Sequence, residues 1–162
     1  MILHPIPPVF DKHSRVLILG SFPSVKSREE GFFYGHRQNR FWPLIAALTG
    51  EATPKTVEDK RTLLLRHGIA LWDVLAACDI TGSADSTIRN ATPNDLAPIL
   101  TAAPTKLVIT NGRTAHAHYV KHTYPLTHRE AVCLPSTSPA NAACSLSALI
   151  DAWGTVLRPF LS

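Results

Sequence analysis

The residues best suited to chemistry lie at positions 31–42, which read Gly-Phe-Phe-Tyr-Gly-His-Arg-Gln-Asn-Arg-Phe-Trp. Consecutive aromatic residues stand here beside a histidine, a glutamine, an asparagine and two arginines. Aromatic faces stack on flat rings, amides hydrogen-bond to polar ring edges, and arginines bind phosphates. The string is therefore typical of a site that holds a nucleobase on its phosphate backbone.

Small and polar residues also follow three apolar runs, in loops at positions 20–24, 111–112 and 135–141. Apolar, β-branched runs of this kind are typical of buried parallel strands. The carboxyl ends of such strands meet at one edge of the sheet, where open α/β folds bind their ligands. We therefore expect the three loops and the aromatic string to form one site.

The spacing of apolar residues predicts helices between these strands. The predicted strands lie at 16–19, 106–110 and 131–134, and the predicted helices lie at 41–48, 56–67, 92–104, 113–122 and 145–160. This alternation predicts an α/β fold, a three-layer α/β/α sandwich with a short, mainly parallel central sheet. Residues 69–78 mix alternating and continuous apolarity, which fits either a strand or a short strand that runs into a turn.

Capping residues indicate where several helices begin. Asn39 is expected at or near the N-cap of the helix at 41–48, with its side chain facing the preceding loop. Ser24 or Ser27 would cap a short helical turn. Thr92, followed by a proline and two polar residues, is expected to start the helix that Pro104 ends.

Two segments lack a regular pattern. Residues 1–14 are rich in proline and predict an extended arm that lies on a single domain spanning residues 1–162. Residues 81–92 are small and polar and predict a surface segment, in which Asp85 and Ser86 would line a groove.

Composition restricts the function further. A chain of 162 residues with 45% apolar and 17% charged residues predicts a packed globular protein. Its net charge of +4 permits an anionic partner. The cysteines are odd in number and far apart, so they do not predict a disulfide framework. Only His118 and His122 share a helical face, and two ligands do not predict a zinc site. Because no apolar run reaches membrane-spanning length, we expect a cytoplasmic protein. We also expect that it needs no metal or cofactor.

Four stretches together resemble a known family. They are Gly-Ser-Phe-Pro-Ser at 20–24, the aromatic string at 31–42, Ile-Ala-Leu-Trp-Asp-Val at 69–74 and Leu-Pro-Ser-Thr-Ser-Pro-Ala-Asn at 134–141. In this order they are similar to the uracil-DNA glycosylase superfamily, and within it to the hypoxanthine-DNA glycosylase branch. The resemblance runs from about residue 13 to the end of the chain.

The resemblance implies a monofunctional DNA glycosylase of base excision repair that hydrolyses the N-glycosidic bond of deoxyinosine and releases hypoxanthine. Its partner would be double- or single-stranded DNA containing a deaminated base. Alternatives are a uracil, thymine-mismatch or xanthine glycosylase of the same fold, or a nucleic-acid binding relative without activity. A panel of substrates would separate these possibilities.

The resemblance also assigns roles to residues. The superfamily usually places an aspartate or asparagine between the glycine and the proline of the first loop to position the attacking water, whereas this chain has Phe22 there. In the hypoxanthine branch an asparagine of the following loop is catalytic. It matches Asn39, whose carbonyl would orient the water, although a plain helix cap is the alternative.

The remaining expected site residues fall into two groups. The expected base-binding residues are Gly20, Ser21, Phe22, Pro23, Phe33, Tyr34, His36 and Asn111. Phe22 is favoured for stacking on the flipped base, with core packing as the alternative for the aromatics, and Asn111 would read the base edge or simply form a turn. The expected DNA-binding residues are Ser24, Arg37, Arg40, Ser136, Thr137, Ser138 and Asn141.

Overall fold

The computed structural model describes residues 1–161 of the chain. Its strands are β1 (Ile2–Leu3), β2 (Val16–Gly20), β3 (Ile69–Asp73), β4 (Leu75–Asp79), β5 (Arg89–Pro93), β6 (Leu107–Asn111) and β7 (Val132–Leu134). Its α-helices are α1 (Val25–Glu30), α2 (Phe41–Thr49), α3 (Val57–Arg66), α4 (Ala97–Ala102), α5 (Arg113–His118), α6 (Tyr124–Thr127) and α7 (Leu146–Leu157). A π-helical segment, Tyr119–Thr123, joins α5 to α6, and short 3₁₀ turns occupy Asp85–Thr87 and Arg158–Phe160.

The central sheet is parallel, with the strand order β3-β2-β6-β7. Its register places Gly20 opposite Asp73 and Asn111 opposite Leu134. The carboxyl ends of the strands therefore lie at one edge, and the loops that follow them begin side by side. The predicted parallel sheet with helical layers is confirmed.

The alternation of side chains along β2 divides the core into two layers. Val16 and Ile18 pack in one apolar cluster with α2, α3 and α7, whereas Leu17 and Leu19 pack in another with α4 and Tyr119. Successive side chains of a strand point to opposite faces, so a fully apolar strand is buried on both sides. This two-sided burial holds the strand ends, and hence the loops, in fixed positions.

A second, antiparallel sheet with the order β1-β4-β5 was not predicted. Residues 69–78, whose pattern was ambiguous, belong to two strands in different sheets, β3 and β4, which are separated by Val74. The amide of Val74 donates to the carbonyl oxygen of Gly20 at 2.7 Å, so the change of direction is fixed to the end of β2.

The predicted helix start at Thr92 is wrong. Thr92 pairs with Ala77 and Pro93 with Leu75, so both residues belong to β5. Helix α4 begins only at Ala97, whose amide donates to the carboxylate of Asp95 at 3.0 Å. Sheet pairing has overridden a local sequence that is suited to a helix terminus.

The first residues of the chain run along both sheets. Ile2 and Leu3 pair with β4, and Val9 forms an antiparallel bridge to Leu71 of β3. Between these contacts, Ile6 is buried in the main core. This N-terminal arm is therefore packed into the structure beside the carboxyl edge of the central sheet.

Candidate active site

A cleft of about 280 Å³ lies at the carboxyl edge of the central sheet. Small-molecule sites usually enclose roughly 300–1,000 Å³, so this cleft suits one small, flat ligand. All five residues of the first loop line it, together with Phe33, Tyr34, His36, Asn39, Asn111, Ser136, Thr137 and Ser138. The structure thus brings together most of the predicted site residues, while Arg37, Arg40 and Asn141 lie outside the cleft lining.

Asn39 lies at the cleft immediately before α2. Its carboxamide oxygen Oδ1 accepts a bond of 2.9 Å from the amide of Phe41 and one of 2.8 Å from the Thr137 hydroxyl. Asn39 is thus near the N-cap, as predicted, and its cap partner is the first residue of the helix. Because a carbonyl oxygen has two lone pairs, Oδ1 is fully occupied. The group left for a ligand is the Nδ2 amide, which makes no hydrogen bond within residues 1–161.

Asn111 and Thr137 bind each other reciprocally. The Thr137 amide donates to Asn111 Oδ1 at 3.0 Å, and Asn111 Nδ2 donates to Thr137 Oγ1 at 3.0 Å. The second Nδ2 hydrogen of Asn111 is directed to the Tyr34 hydroxyl at 3.1 Å. Both donors of Asn111 are occupied, so we revise its predicted role from reading a base edge to positioning neighbouring side chains.

Thr137 is completely buried and joins Asn111 to Asn39. Its predicted DNA contact is therefore corrected, since neither its hydroxyl nor its amide can reach a phosphate. The hydrogen bonds run across three separate loops, and a buried network in which each member is satisfied holds a single geometry.

The loop at 135–141 is shaped by its own side chains. The Ser136 and Ser138 hydroxyls accept from the amides of Ser138 and Ala140, each at 3.1 Å, and Asn141 Nδ2 donates to the carbonyl of Ser136 at 3.0 Å. A Cβ on Gly112, whose φ is +97°, would lie 3.0 Å from the Ser136 side chain. The glycine thus allows the loop to approach β6 closely.

Arg40 does not have the free side chain that a phosphate contact requires. Its guanidinium donates to the backbone carbonyls of Ser138 at 2.9 Å and Asn141 at 3.1 Å, and also to that of Cys144. Its amide donates to the carbonyl of Thr137 at 3.1 Å. We therefore correct its predicted DNA-binding role, because these bonds make Arg40 a support for the loop.

The predicted aromatic residues differ in what they offer to the cleft. Phe33 is 2% exposed and belongs to the main core, while the ring of Tyr34 stacks on Phe41 with 4.1 Å between centroids. Phe22 is 7% exposed, lines the cleft and has the Arg28 guanidinium 5.7 Å from its ring centre. Phe22 also packs in the second apolar cluster, so its role in stacking on a bound ring stays a prediction.

Asp73 is a cleft residue that sequence reasoning missed. It ends β3, its side chain is 5% exposed, and its Oδ2 atom accepts a hydrogen bond of 2.8 Å from Nε2 of His4. A Cβ on Gly20 would lie 2.3 Å from Asp73 Oδ1, so only glycine fits beside this carboxylate. The available signal was an acidic residue at the end of an otherwise apolar run.

The Tyr34 hydroxyl lies on the same side of the cleft, 3.1 Å from the position that a Gly20 Cβ would take. Burial, together with the negative charge of Asp73, raises the pKa of Tyr34 far above its ordinary value despite the opposing hydrogen bond from Asn111. The phenol therefore stays protonated at neutral pH. Since its oxygen accepts from Asn111, its own hydrogen is available to a ligand.

Asp85 is a second carboxylate at the cleft, as the groove prediction suggested, whereas Ser86 does not line it. Asp85 Oδ1 accepts a hydrogen bond of 2.9 Å from the Ser21 hydroxyl. Although the residue is exposed as a whole, partial removal of its carboxylate from water raises the pKa of Asp85. The Ser21 hydrogen bond opposes this effect, and the charge of Asp73 adds to it.

The remaining predicted residues lie around the mouth of the cleft. His36 and Arg37 are exposed, and Arg37 lies with Lys26 and Gln38 in an adjoining shallow depression. Ser24 caps α1 by accepting from the Ser27 amide at 3.1 Å, which confirms the predicted cap.

A comparison with known families decides where this architecture belongs. The model of the uracil DNA glycosylase superfamily matches residues 7–153. The chain belongs to this superfamily. The match includes the cleft and every strand of the central sheet.

Individual relatives agree with this membership. A protein of Methanosarcina acetivorans named hypoxanthine DNA glycosylase is 34% identical over 163 residues, which cover 98% of this chain and 99% of that protein. A protein of the same name from Methanosarcina barkeri is 36% identical over 109 residues, which cover 66% of this chain and 69% of that protein. A solution NMR structure from Methanosarcina acetivorans, described as a candidate uracil DNA glycosylase, has a TM-score of 0.83 at 34% identity over 99% of both chains.

In this member of the uracil DNA glycosylase superfamily, the acidic groups of the cleft do not come from the first loop. Phe22 occupies the place in the first loop where the superfamily usually has an aspartate or asparagine. The carboxylates of its cleft come instead from the end of β3 and from the turn at Asp85–Thr87.

No helix within residues 1–161 has the length and apolarity needed to cross a membrane. Over the same range, His, Cys, Asp and Glu side chains form no group of three or more that could hold a metal ion.

Proposed function

We propose that this chain is a monofunctional DNA glycosylase that hydrolyses deoxyinosine in DNA and releases hypoxanthine. The observation that carries the proposal is the pair of groups beside Gly20 in a cleft of base size, namely the acceptor Asp73 and the donor Tyr34. The relatives named hypoxanthine DNA glycosylase, one of them similar over nearly the whole chain, support it.

The pair matches one edge of hypoxanthine. That base carries an N1–H donor next to its O6 acceptor, whereas adenine has a bare N1 acceptor next to an amino donor. An ionised carboxylate only accepts hydrogen bonds, and the protonated Tyr34 has one to donate. Asp73 therefore accepts the imino N–H and Tyr34 donates to O6. Adenine would instead place its N1 acceptor against the Asp73 carboxylate and its amino donor against the Tyr34 hydroxyl hydrogen, and neither pair can form a hydrogen bond. The deaminated base is thereby distinguished from its parent.

In the proposed reaction, water adds to C1′ as the bond from C1′ to N9 breaks, and the bonding electrons leave with the base. The sugar keeps the hydroxyl of the water, and the base ends with the proton. Negative charge grows on the base in the transition state, where fixed donors are most effective. Asn39 donates its Nδ2 hydrogens to the base as this charge grows. Asp85 accepts the proton of the attacking water and releases it to the solvent, from which the departed base takes up its proton.

The base must leave the duplex before it can enter the cleft, which costs a few kcal/mol and less for a mispaired base. Phe22 offers the flipped base an aromatic contact. Around the mouth, His36, Arg37 and the serines of the 135–141 loop bind the backbone of the DNA. The Ser24 hydroxyl is used within the protein, because it donates to Ser27 Oγ at 3.0 Å and accepts from the Ser27 amide. Because its substrate is DNA, the enzyme acts in the compartment that contains the DNA.

Uracil is the second candidate base. Its N3–H lies between two carbonyl oxygens, so it offers the same donor to Asp73, and the similar solved structure is described as a candidate uracil DNA glycosylase. Xanthine shares this imino group as well. A binding protein without activity is the third possibility, because Phe22 stands where the superfamily usually has a polar residue.

The test is a glycosylase assay on matched oligonucleotides that contain one deoxyinosine, deoxyuridine, deoxyxanthosine or deoxyadenosine, single-stranded and paired. Released base is identified by mass spectrometry, and the abasic product is detected by alkaline cleavage. We expect hypoxanthine release and no adenine release. Release of uracil alone would contradict the choice of base, and binding of mispaired DNA without any product would contradict an enzyme.

A further inference from the structure

The N-terminal arm places a histidine behind the cleft, against two of the residues that line it, Asp73 and Phe22. The side chain of His4 is 3% exposed, and its ring lies 5.8 Å from that of Phe22 and 6.1 Å from that of Trp72 between centroids. The amide of His4 donates to the carbonyl of Ala76 at 2.7 Å, next to the pairing of Leu3 with Ala77. Backbone and ring are thus both fixed, although the arm precedes the first long strand.

Both nitrogens of the His4 ring have partners inside the protein. Nδ1 accepts a hydrogen bond of 3.2 Å from the amide of Ile6, so the ring hydrogen lies on Nε2. Nε2 then donates to Asp73 Oδ2 at 2.8 Å. The hydrogen bond from the Ile6 amide thus selects the tautomer that donates to the buried carboxylate.

The two oxygens of Asp73 have different environments. Oδ2 is held by His4, whereas Oδ1 makes no hydrogen bond to any residue in the described range 1–161 and lies against Gly20 in the cleft wall. The main chain of Asp73 is fixed separately, by β-sheet pairing and by Asn94, whose Nδ2 donates to its carbonyl at 3.0 Å. Within the described chain, His4 is therefore the residue that sets the rotation of this carboxylate.

We propose that His4 is a positioning residue for base recognition, which holds Asp73 so that its free oxygen accepts the imino N–H of a flipped, deaminated base. This inference rests on the proposed function. It makes the N-terminal arm a part of the base pocket and predicts that selection against adenine depends on a residue 69 positions away from the carboxylate. Among the described residues, Tyr34 and Asp85 are the other ionisable groups whose charge acts on Asp73, and neither forms a hydrogen bond to it.

The experiment compares His4→Phe with His4→Gln. Phenylalanine fills the same aromatic surroundings but has no N–H, whereas the glutamine amide can still donate to Asp73. His13→Phe is the matched control, because His13 lies on the same arm and is exposed. Thermal denaturation and binding to a duplex with a tetrahydrofuran abasic site, which contains no base, report on folding and on the DNA-binding surface.

We expect His4→Phe to lower kcat/KM for deoxyinosine at least about tenfold, as for loss of a hydrogen bond to a charged group. His4→Gln should restore most of that loss, and binding to the abasic duplex should change less than twofold in either variant. In the background of Asp73→Asn, the further effect of His4→Phe should largely disappear, because a residue that acts through another loses its effect when that partner is changed. This double variant also removes the unpaired buried charge that could unfold His4→Phe.

Three results would overturn the proposal: equal losses in the two His4 variants, independent effects in the Asp73→Asn background, or a weakened affinity for the abasic duplex that accounts for the whole loss. A parallel measurement needs no turnover, namely the ratio of affinities for duplexes with deoxyinosine and with deoxyadenosine. His4→Phe should reduce this ratio to near one, and an unchanged ratio would contradict the inference. Failure of the wild-type protein to release any base would instead contradict the proposed function.

Discussion

The hydroxyl of Thr137 donates a hydrogen bond of 2.8 Å to the carboxamide oxygen of Asn39, which also accepts from the amide of Phe41. Two donors fill that oxygen and turn the amide nitrogen of Asn39 into the group available for chemistry. The proposed catalytic asparagine is thus a hydrogen-bond donor, whereas the sequence suggested an acceptor that steers water.

Replacing Asn39 by aspartate separates these two roles. Asn39→Asp keeps both acceptor bonds and places a negative charge at a helix start, which favours folding. It removes the Nδ2 donors, and loss of a transition-state donor commonly lowers kcat by about 10²–10³. We expect single-turnover hypoxanthine release to fall by this amount in Asn39→Asp and equally in Asn39→Ala. An Asn39→Asp variant as active as the wild type would show that Oδ1, and not Nδ2, acts on the substrate.

Thr137→Val should disturb the site from within the protein. Valine has no hydroxyl, so it leaves the donor of Asn111 and the acceptor of Asn39 without their shared partner. We expect the free energy of unfolding to drop by about 1–3 kcal/mol and the rate of base release to drop about tenfold. Chemical denaturation and single-turnover kinetics measure the two effects. Thr155→Val is the control, since the hydroxyl of that exposed threonine donates to the carbonyl of Asp151 in its own helix, and it should change neither quantity.

The activity should respond to pH through Asp85. Its raised pKa means that Asp85 takes up a proton at a higher pH than a free aspartate, whose pKa is about 3.9. If its ionised form receives the proton of water, kcat must fall as the pH drops through that raised pKa. Asp85→Asn should lower kcat near neutral pH and abolish this acid limb. A variant with the wild-type rate and the same acid limb would exclude Asp85 as the base.

Two arginines from the same string should behave differently. Arg37 is exposed, so Arg37→Ala should weaken DNA binding and reduce the slope of log affinity against log salt by about one. Arg40 bonds to loop carbonyls, so Arg40→Ala should lower Tm and leave the salt slope unchanged. Fluorescence anisotropy over a range of salt concentrations and thermal melts give both quantities. Identical salt slopes for the two variants would contradict this assignment.

Much of the fold could be predicted because its signals are local. The apolar run at β2 predicts burial on both faces, and Ser24 and Thr56 cap their helices through bonds to residues three positions ahead. The start of α4 could not be predicted in this way. Thr92 and Pro93 suit a helix, but their pairing with β4 depends on a strand that is distant in the sequence.

The sequence by itself determined the parallel sheet, the loops that meet at its edge, and the set of side chains that could form a base site. Those properties depend on residue type and on neighbours within a few positions, where burial and capping leave a pattern. The tertiary structure alone decided which atoms remain available. In the folded chain, the oxygen of Asn39 and both donors of Asn111 are already hydrogen-bonded. Arg40 donates to loop carbonyls, and His4 contacts Asp73, which is 69 positions away in the sequence. Hydrogen-bonding capacity is limited, and only packing between distant segments determines where each donor and acceptor is used.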